Sequence, residues 1–404
     1  EAAFADKIED NVYTDGQVSL YAKGKISGEW LMTLAFDSDK PEHLRRKQSL
    51  FGVVDPGQFY TLYGDATGQG KDAQSQRNLY IKVEKKAFYA MFGDFETGLD
   101  QTRLARYSRS LNGVKANYSG DKLLFTVFGA ETPQHFVRDE IQGDGTSGLY
   151  KLSRGGLVLN SERIQILTKD RYHADKTVQT RELTRHLDYD IDYGAGTIYF
   201  REPIQARDFN LNPIFIIANY ETLGVSDQEL NAGGHVGVKL FDGKLKLGAS
   251  QIRDENDDTR TDLTGLNAAL KIGGTALRIE GALSEQTGNN AIDADGFLVE
   301  LEHQADRWGL LAYTNRLDAG FGVKQQSVAD IGRERYGLSG RLKITDVLGL
   351  SAEVSRDESV ATTQKREVLS SKLEYKRESL SLFGGVQVAR DKVSATTSAF
   401  ESHE

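Results

Sequence analysis

The sequence predicts an all-β protein: a transmembrane antiparallel β-barrel of about sixteen strands with a small β-domain inserted into it. Three observations predict this. First, apolar and polar residues alternate with period two along most of the chain, as in "NLYIKVEKKAFYAMFGDF" (78–95), where Leu79, Ile81 and Val83 share one strand face and Tyr80, Lys82 and Glu84 the other. Second, the candidate strands run for about eight to eleven residues, the length of a tilted strand crossing a bilayer, whereas strands of globular sheets average about five or six. Third, short turns alternate with long polar connections, as in outer-membrane barrels.

Composition agrees. The chain has 404 residues, 41 glycines, five prolines, no cysteine and a net charge of −9. Absence of cysteine excludes a disulfide framework and thiolate chemistry. Mild acidity gives no support for nucleic acid as a partner. No run approaches about 18 apolar residues, so no transmembrane helix is expected. A barrel keeps low average hydropathy because only alternate residues meet lipid. The same alternation would serve a two-layer sandwich with one face in water; uniform strand length and tight turns favour the membrane.

Taken in order, 16–25 and 29–37 flank Ile26-Ser27-Gly28, and 78–84 pairs with 87–95. Then 109–118 and 121–130 flank Ser119-Gly120. Five more hairpins follow: 235–241 with 244–252, 265–272 with 275–283, 296–304 with 307–315, 335–344 with 348–356, and 366–376 with 379–390. Long polar loops are expected at 253–264, 284–295 and 316–334, and a longer excursion at 38–77. None of Pro41, Pro56, Pro133, Pro203 or Pro213 falls in a barrel strand, as a closed ladder of N–H donors requires. The apolar face reads Leu277, Ile279 and Leu283; Phe297, Val299 and Leu301; Trp308 and Leu310; Tyr336, Leu338, Leu342 and Ile344; Leu380, Leu382, Val386 and Val388.

Residues 132–232 break the rhythm with three of the five prolines and shorter strands at 148–153, 156–159, 163–168, 188–193, 197–201 and 214–221. "DYDIDYGAGTIYF" (188–200) reads as a hairpin turning at Gly194-Ala195-Gly196. The expected organisation is six barrel strands in 1–131, an inserted plug or binding module in 132–232, and the remaining strands in 233–404. This strand count puts the start of the chain on the side of the long loops and the insert. The polar ending "SATTSAFESHE" lacks a terminal aromatic residue, so a piece of a longer polypeptide is expected.

A barrel with a β-domain inserted after its sixth strand resembles the plugged barrels of fimbrial ushers, in which the inserted domain occludes the pore until the secreted subunit arrives. "LFGVVDPGQFYTLYGD" (50–65) and "DYDIDYGAGTIYFREPI" (188–204) are similar to segments of very large bacterial outer-membrane proteins, including the gliding-associated secretion translocon. These resemblances imply a Gram-negative outer-membrane channel for export or assembly of a macromolecule, with a protein partner or an exported polymer.

On the polar faces, Lys246, Lys271, Arg278, Arg341, Lys343, Lys372 and Lys376 against Glu280, Glu300, Glu302, Glu353 and Glu374 give a mixed lining expected to solvate a water-filled bore with weak selectivity. Wall salt bridges without a role in transport are the alternative. Asp188, Asp190 and Asp192 share one strand face, and oxygens at that spacing are a candidate calcium site, but calcium-loop spacing is absent and a solvated acidic strand face is the stronger reading. Aromatic residues near strand ends, among them Tyr13, Trp30, Phe95, Trp308, Tyr313 and Tyr336, suit interfacial girdles.

The seven histidines show no metal-ligand spacing, and there is no G-x-S-x-G motif, so no enzyme and no cofactor are expected. Outer-membrane lipid and lipopolysaccharide are the expected surroundings. The first functional expectation is a channel occluded by its insert; the others are a membrane-anchored scaffold whose insert binds an envelope partner, and a passive diffusion porin.

Overall fold

In a computed structural model of the chain, residues 18–38, 77–171, 176–223, 229–256, 259–288, 291–378, 380–392 and 400–403 are described. They divide into two compact units, one ending at Asp94 and one beginning at Phe95. The first is an antiparallel meander of β1 (Ser19–Ser27), β2 (Trp30–Asp37), β3 (Leu79–Lys85) and β4 (Phe88–Glu96), the last of which runs just past the boundary. Alternation sets its register: Ile81 lies opposite Phe92 and Val83 opposite Ala90, so the apolar residues of both strands share a face. The excursion expected at 38–77, including the stretch at 50–65, lies outside the described residues apart from its two ends.

In the second unit β5 (Ser110–Ser119) and β6 (Leu123–Thr132) form a hairpin. The chain then leaves to build a small domain from β7 (Gln134–Gln142), β8 (Tyr150–Lys151), β9 (Arg163–Lys169), β10 (Thr177–Glu182), β11 (Tyr189–Asp192), β12 (Thr197–Phe200) and β13 (Ile214–Leu223). These strands form a four-stranded sheet, β10-β9-β13-β7, and a three-stranded one, β11-β12-β8. Ile164, Ile198, Phe200, Ile216 and Tyr220 fill the core between them. The β11–β12 turn falls at Gly194-Ala195-Gly196, and Gly196 takes the left-handed φ of +66° that an L side chain disfavours. Of the short strands expected here, 148–153 shrinks to β8 and 156–159 to a single bridge between Leu157 and Thr222. β7 and β10 were not foreseen, because their mixed polar sequences lack a clean alternation.

β14 (Glu229–Leu240) returns to pair with β6. It opens an antiparallel meander through β15 (Leu245–Asn256), β16 (Thr259–Ile272), β17 (Thr275–Gly288), β18 (Ile292–Gln304), β19 (Trp308–Leu317), β20 (Arg333–Lys343), β21 (Leu348–Ser359), β22 (Lys365–Arg377), β23 (Leu380–Lys392) and β24 (Phe400–His403). The all-β, antiparallel architecture stands, with four meander strands in the first unit and thirteen in the second. The short β24 is the one beyond the sixteen expected.

The polar stretches 253–264 and 284–295 are not loops. β15 runs to Asn256 and β16 starts at Thr259; β17 runs to Gly288 and β18 starts at Ile292. Charge there had masked the strands. Yet Arg253 lies opposite Asp262, and Asp262 opposite Glu285, in unbroken ladders. A strand of 14 residues spans about 46 Å, far more than the roughly 25 Å of an apolar band facing lipid. Only 318–332, of the three expected loops, is a true excursion.

Register sorts the wall of the second unit into two faces. The apolar residues of β17 to β23 named above fall together on one, the open face, and Ile344 just beyond β20 continues the Leu342 pattern. The other, the covered face, carries the inserted domain and two loops. Trp308 and Tyr336 lie on the open face, but Tyr313, opposite Gly337, lies on the covered one, and Phe95 is buried. Tyr13 is outside the described residues.

Candidate functional site: the covered face and the segments packed on it

Three segments are laid on the covered face, and side-chain volume decides where. Residues 97–109 fold back on themselves, the Leu99 N–H donating to Tyr107 O at 2.9 Å and the Tyr107 N–H to Leu99 O at 2.8 Å. At the loop tip the N–H groups of Arg103 and Leu104 both donate to Glu280 Oε2, at 2.8 and 3.0 Å, and Arg103 Nη1 donates to Glu300 at 3.0 Å. Arg278 lies 4.0 Å from Glu280 and 3.8 Å from Glu300. Glycines make the sockets. A Cβ at Gly265 would stand 2.9 Å from the Cβ of Ala105 in this loop, and one at Gly296 would stand 3.1 Å from the ring of Phe321 in the loop 318–332. The two loops are joined, since Gln325 exchanges two hydrogen bonds with the Ser108 backbone at 2.9 and 3.2 Å and Gln326 donates to Leu104 O at 3.0 Å.

The inserted domain is fastened at a buried ionic node. The Arg109 guanidinium, fully buried, donates to both oxygens of Glu221 on β13 at 2.9 and 2.7 Å, to Asp254 on β15 at 2.6 Å, to Asn231 on β14 at 3.0 Å and to Gln134 O at 2.8 Å. Tyr107 donates to the same Asp254 oxygen at 2.5 Å. Burial opposes the charge on Arg109, but Glu221 above all, with Asp254, holds the guanidinium protonated well above its ordinary range. A second fastening sits on the loop 318–332: Lys169 donates to Ser327 at 3.1 Å, and Ser327 donates to Glu140 at 3.1 Å.

Beyond these fastenings, Arg171, Lys176 and the turn around Phe209–Asn212 stand across a cavity of about 880 Å³ from Glu353, Ser370, Lys372 and Gln387 on β21–β23. A smaller space of about 350 Å³ separates Lys176 from Glu302, Arg341 and Glu353.

All twelve charged residues read as lining fall on the covered face. The structure brings them into three groups. Arg278, Glu280 and Glu300 receive the loop 97–109; Glu302, Arg341, Glu353 and Lys372 border the cavities; Lys246, Lys271, Lys343, Glu374 and Lys376 stand exposed toward the short turns.

The three aspartates proposed for calcium do not converge. Asp188 accepts the Thr184 N–H at 2.7 Å, Asp190 pairs with Arg201 at 2.7 Å and His186 at 3.1 Å, and Asp192 accepts the Ala195 N–H at 2.9 Å. Each carboxylate satisfies its own turn or ion pair, and among the described residues no group of three or more His, Cys, Asp or Glu could hold a metal.

Sequence reasoning missed Arg103, Arg106, Tyr107 and Arg109. Three arginines within "RLARYSR" (103–109), between two apolar strands, were the available signal. Arg106 is held below its ordinary value chiefly by burial, with the guanidinium groups of Arg138 and Arg163 adding to the shift and Asp100 and Glu182 opposing it.

No protein-family model and no curated protein matches the sequence. Among solved structures the chain is similar to OccK5 (OpdH) of Pseudomonas aeruginosa, with 12% identity over 96% of this chain and 89% of that one and a TM-score of 0.38. It is also similar to a BenF-like porin from Pseudomonas fluorescens Pf-5, at 9% identity over 96% and 88% with a TM-score of 0.37, and to Pseudomonas aeruginosa OpdK solved with vanillate, at 9% over 96% and 89% with a TM-score of 0.35.

Proposed function

We propose that the chain is a diffusion channel of the Gram-negative outer membrane, with a passage along the covered face narrowed by the inserted domain and the loops 97–109 and 318–332. The observation that carries this reading is the Arg109 node. A plug that must leave its pore needs a fastening that lets go, whereas removing one partner from a buried ion pair costs about 3–5 kcal/mol. An insert fixed this way is a permanent constriction. Charge-lined spaces of about 880 and 350 Å³ beside it give small polar solutes room to pass. Localisation follows from the open face, an apolar band bounded by charge as lipid contact demands.

Export of a macromolecule through a usher-like plugged pore is the second reading, favoured by the size of the insert. Planar-bilayer conductance separates the two. The intact chain is expected to give a small steady conductance, and replacing 133–228 by a short Gly-Ser linker should raise it several-fold. A silent intact chain that conducts only after the deletion would overturn the diffusion reading in favour of the plug.

A further inference from the structure

On the open face a groove of about 880 Å³ runs across β18 to β23. Its cause is a column of short side chains. Ala312 and Thr314 on β19 stand between Leu301 and Val299 on one side and Leu338 and Tyr336 on the other, and Val354 and Leu369 continue the floor. One end is polar. The row of Tyr336, Arg356, Glu367 and Arg390 crosses the groove there, with Glu401 of β24 opposite Arg390, and Arg316, Glu334, Glu358, Lys365 and Lys392 form the next row out. Arg356 is 5.7 Å from the Tyr336 ring centroid and 2.6 Å from Glu358.

On the open face of β21–β23 these rows hold four basic residues (Arg356, Lys365, Arg390, Lys392) and two acidic ones (Glu358, Glu367). The corresponding margin of β15–β18 has the opposite balance, Arg253 and Arg260 against Glu255, Asp262, Glu285, Asp293 and Asp295. With Arg316, Glu334 and Glu401 on the flanking strands the mouth of the groove carries five basic residues to four acidic ones, against two to five at the other margin.

We infer that this groove binds one acyl chain of a phosphate-bearing glycolipid of the outer leaflet, its phosphate seated among Arg356, Arg390 and the flanking lysines. The inference rests on the outer-membrane reading above, which fixes the leaflet: the charged rows lie at the strand ends opposite the short turns, and short turns are periplasmic in such barrels. An acyl chain alone would sit anywhere on the apolar band. The pairing of a groove with a cationic margin selects a lipid with both parts.

The test is native mass spectrometry of the full chain incubated in detergent with bis-phosphorylated lipid A, and separately with phosphatidylethanolamine. One lipid A per chain should be retained, and phosphatidylethanolamine should not compete. Arg356→Gln with Arg390→Gln should weaken retention about thirtyfold, about fivefold for each charge removed. Ala312→Leu, which fills the groove without changing charge, should weaken it as well, while Arg253→Gln with Arg260→Gln should not. Equal retention by all variants, or equal binding of phosphatidylethanolamine, would overturn the inference. Conductance of each variant is read in parallel: normal conductance with no lipid A bound sinks the groove and leaves the channel, and failure to enter a bilayer sinks the channel reading instead.

Discussion

Arginine–carboxylate pairs occur in two very different settings in this chain. At the Arg109 node the guanidinium and Glu221 are dry, their side chains 0% and 1% exposed. On the open-face margin Arg253 meets Asp262 at nearly the same distance, 3.0 Å, but with the arginine side chain 40% exposed. Coulomb attraction in water is screened and largely offset by the entropy of holding two long side chains. In the interior neither partner can be lost without stranding the other. The margin pairs keep a wall soluble beyond the lipid, and the node decides where a domain sits.

The largest effect is expected from breaking the node. Arg109→Met leaves Glu221 and Asp254 buried without their cation and should destabilise the fold by about 3–5 kcal/mol, read by denaturant unfolding, with noisy multi-level conductance as the insert comes loose. Asp254 also accepts from Tyr107, so Tyr107→Phe in the same background should add little further loss. Additive losses would show that the two do not share one network.

Packing on the wall comes next. Ile216, 0% exposed in the core of the insert, should cost about 2–5 kcal/mol when cut to alanine, without the conductance noise, since the fastening is intact. Gly265→Leu should lift the loop 97–109 off the wall, because the added side chain claims the space of Ala105. Protease cleavage near Arg103 and Arg106 should rise, with a modest change in conductance. Unchanged cleavage would mean that the loop does not depend on the glycine socket.

A smaller, pH-dependent effect is expected inside the insert. Glu162 accepts from Tyr193 at 2.9 Å and lies 3.5 Å from Arg185, and burial raises its carboxyl above the ordinary value despite Arg185. A raised folded-state value means that the stabilisation is complete below the ordinary carboxylate range and is lost as pH rises through the raised one. Glu162 should therefore contribute a loss of stability as pH rises above the ordinary carboxylate range, and Glu162→Gln should flatten that part of the slope. An unchanged slope would place its origin elsewhere. The smallest effect belongs to the margin: Arg253→Gln should change stability by less than about 1 kcal/mol and less still in high salt.

How much of this was legible in the sequence follows the same contrast. Leu277, Ile279, Val299, Leu338 and Val388 could be assigned to one face because a period of two is local and lipid contact keeps every such position apolar. The ends of the same strands could not. Beyond the lipid both faces turn polar, and "RDENDDTRTD" (253–262) reads as a loop until its partners are known. The candidate site was legible only in part. Arg278, Glu280 and Glu300 were picked out by parity, but what they hold was not, since Arg103 and Glu280 are 177 residues apart. No local pattern carries a contact at that separation. The aspartates at 188, 190 and 192 failed for the converse reason: shared parity puts carboxylates on one face, but their nearest donors are in their own turns.

The Arg109 node also confines the seat of the insert to one continuous stretch of chain. Its ligands come from the loop before β5, the first and last strands of the insert, the start of β14 and the end of β15. All of them lie between Tyr107 and Asp254, and none comes from β16 to β23. A chain cut after β15 therefore keeps every group that fastens the insert at this node.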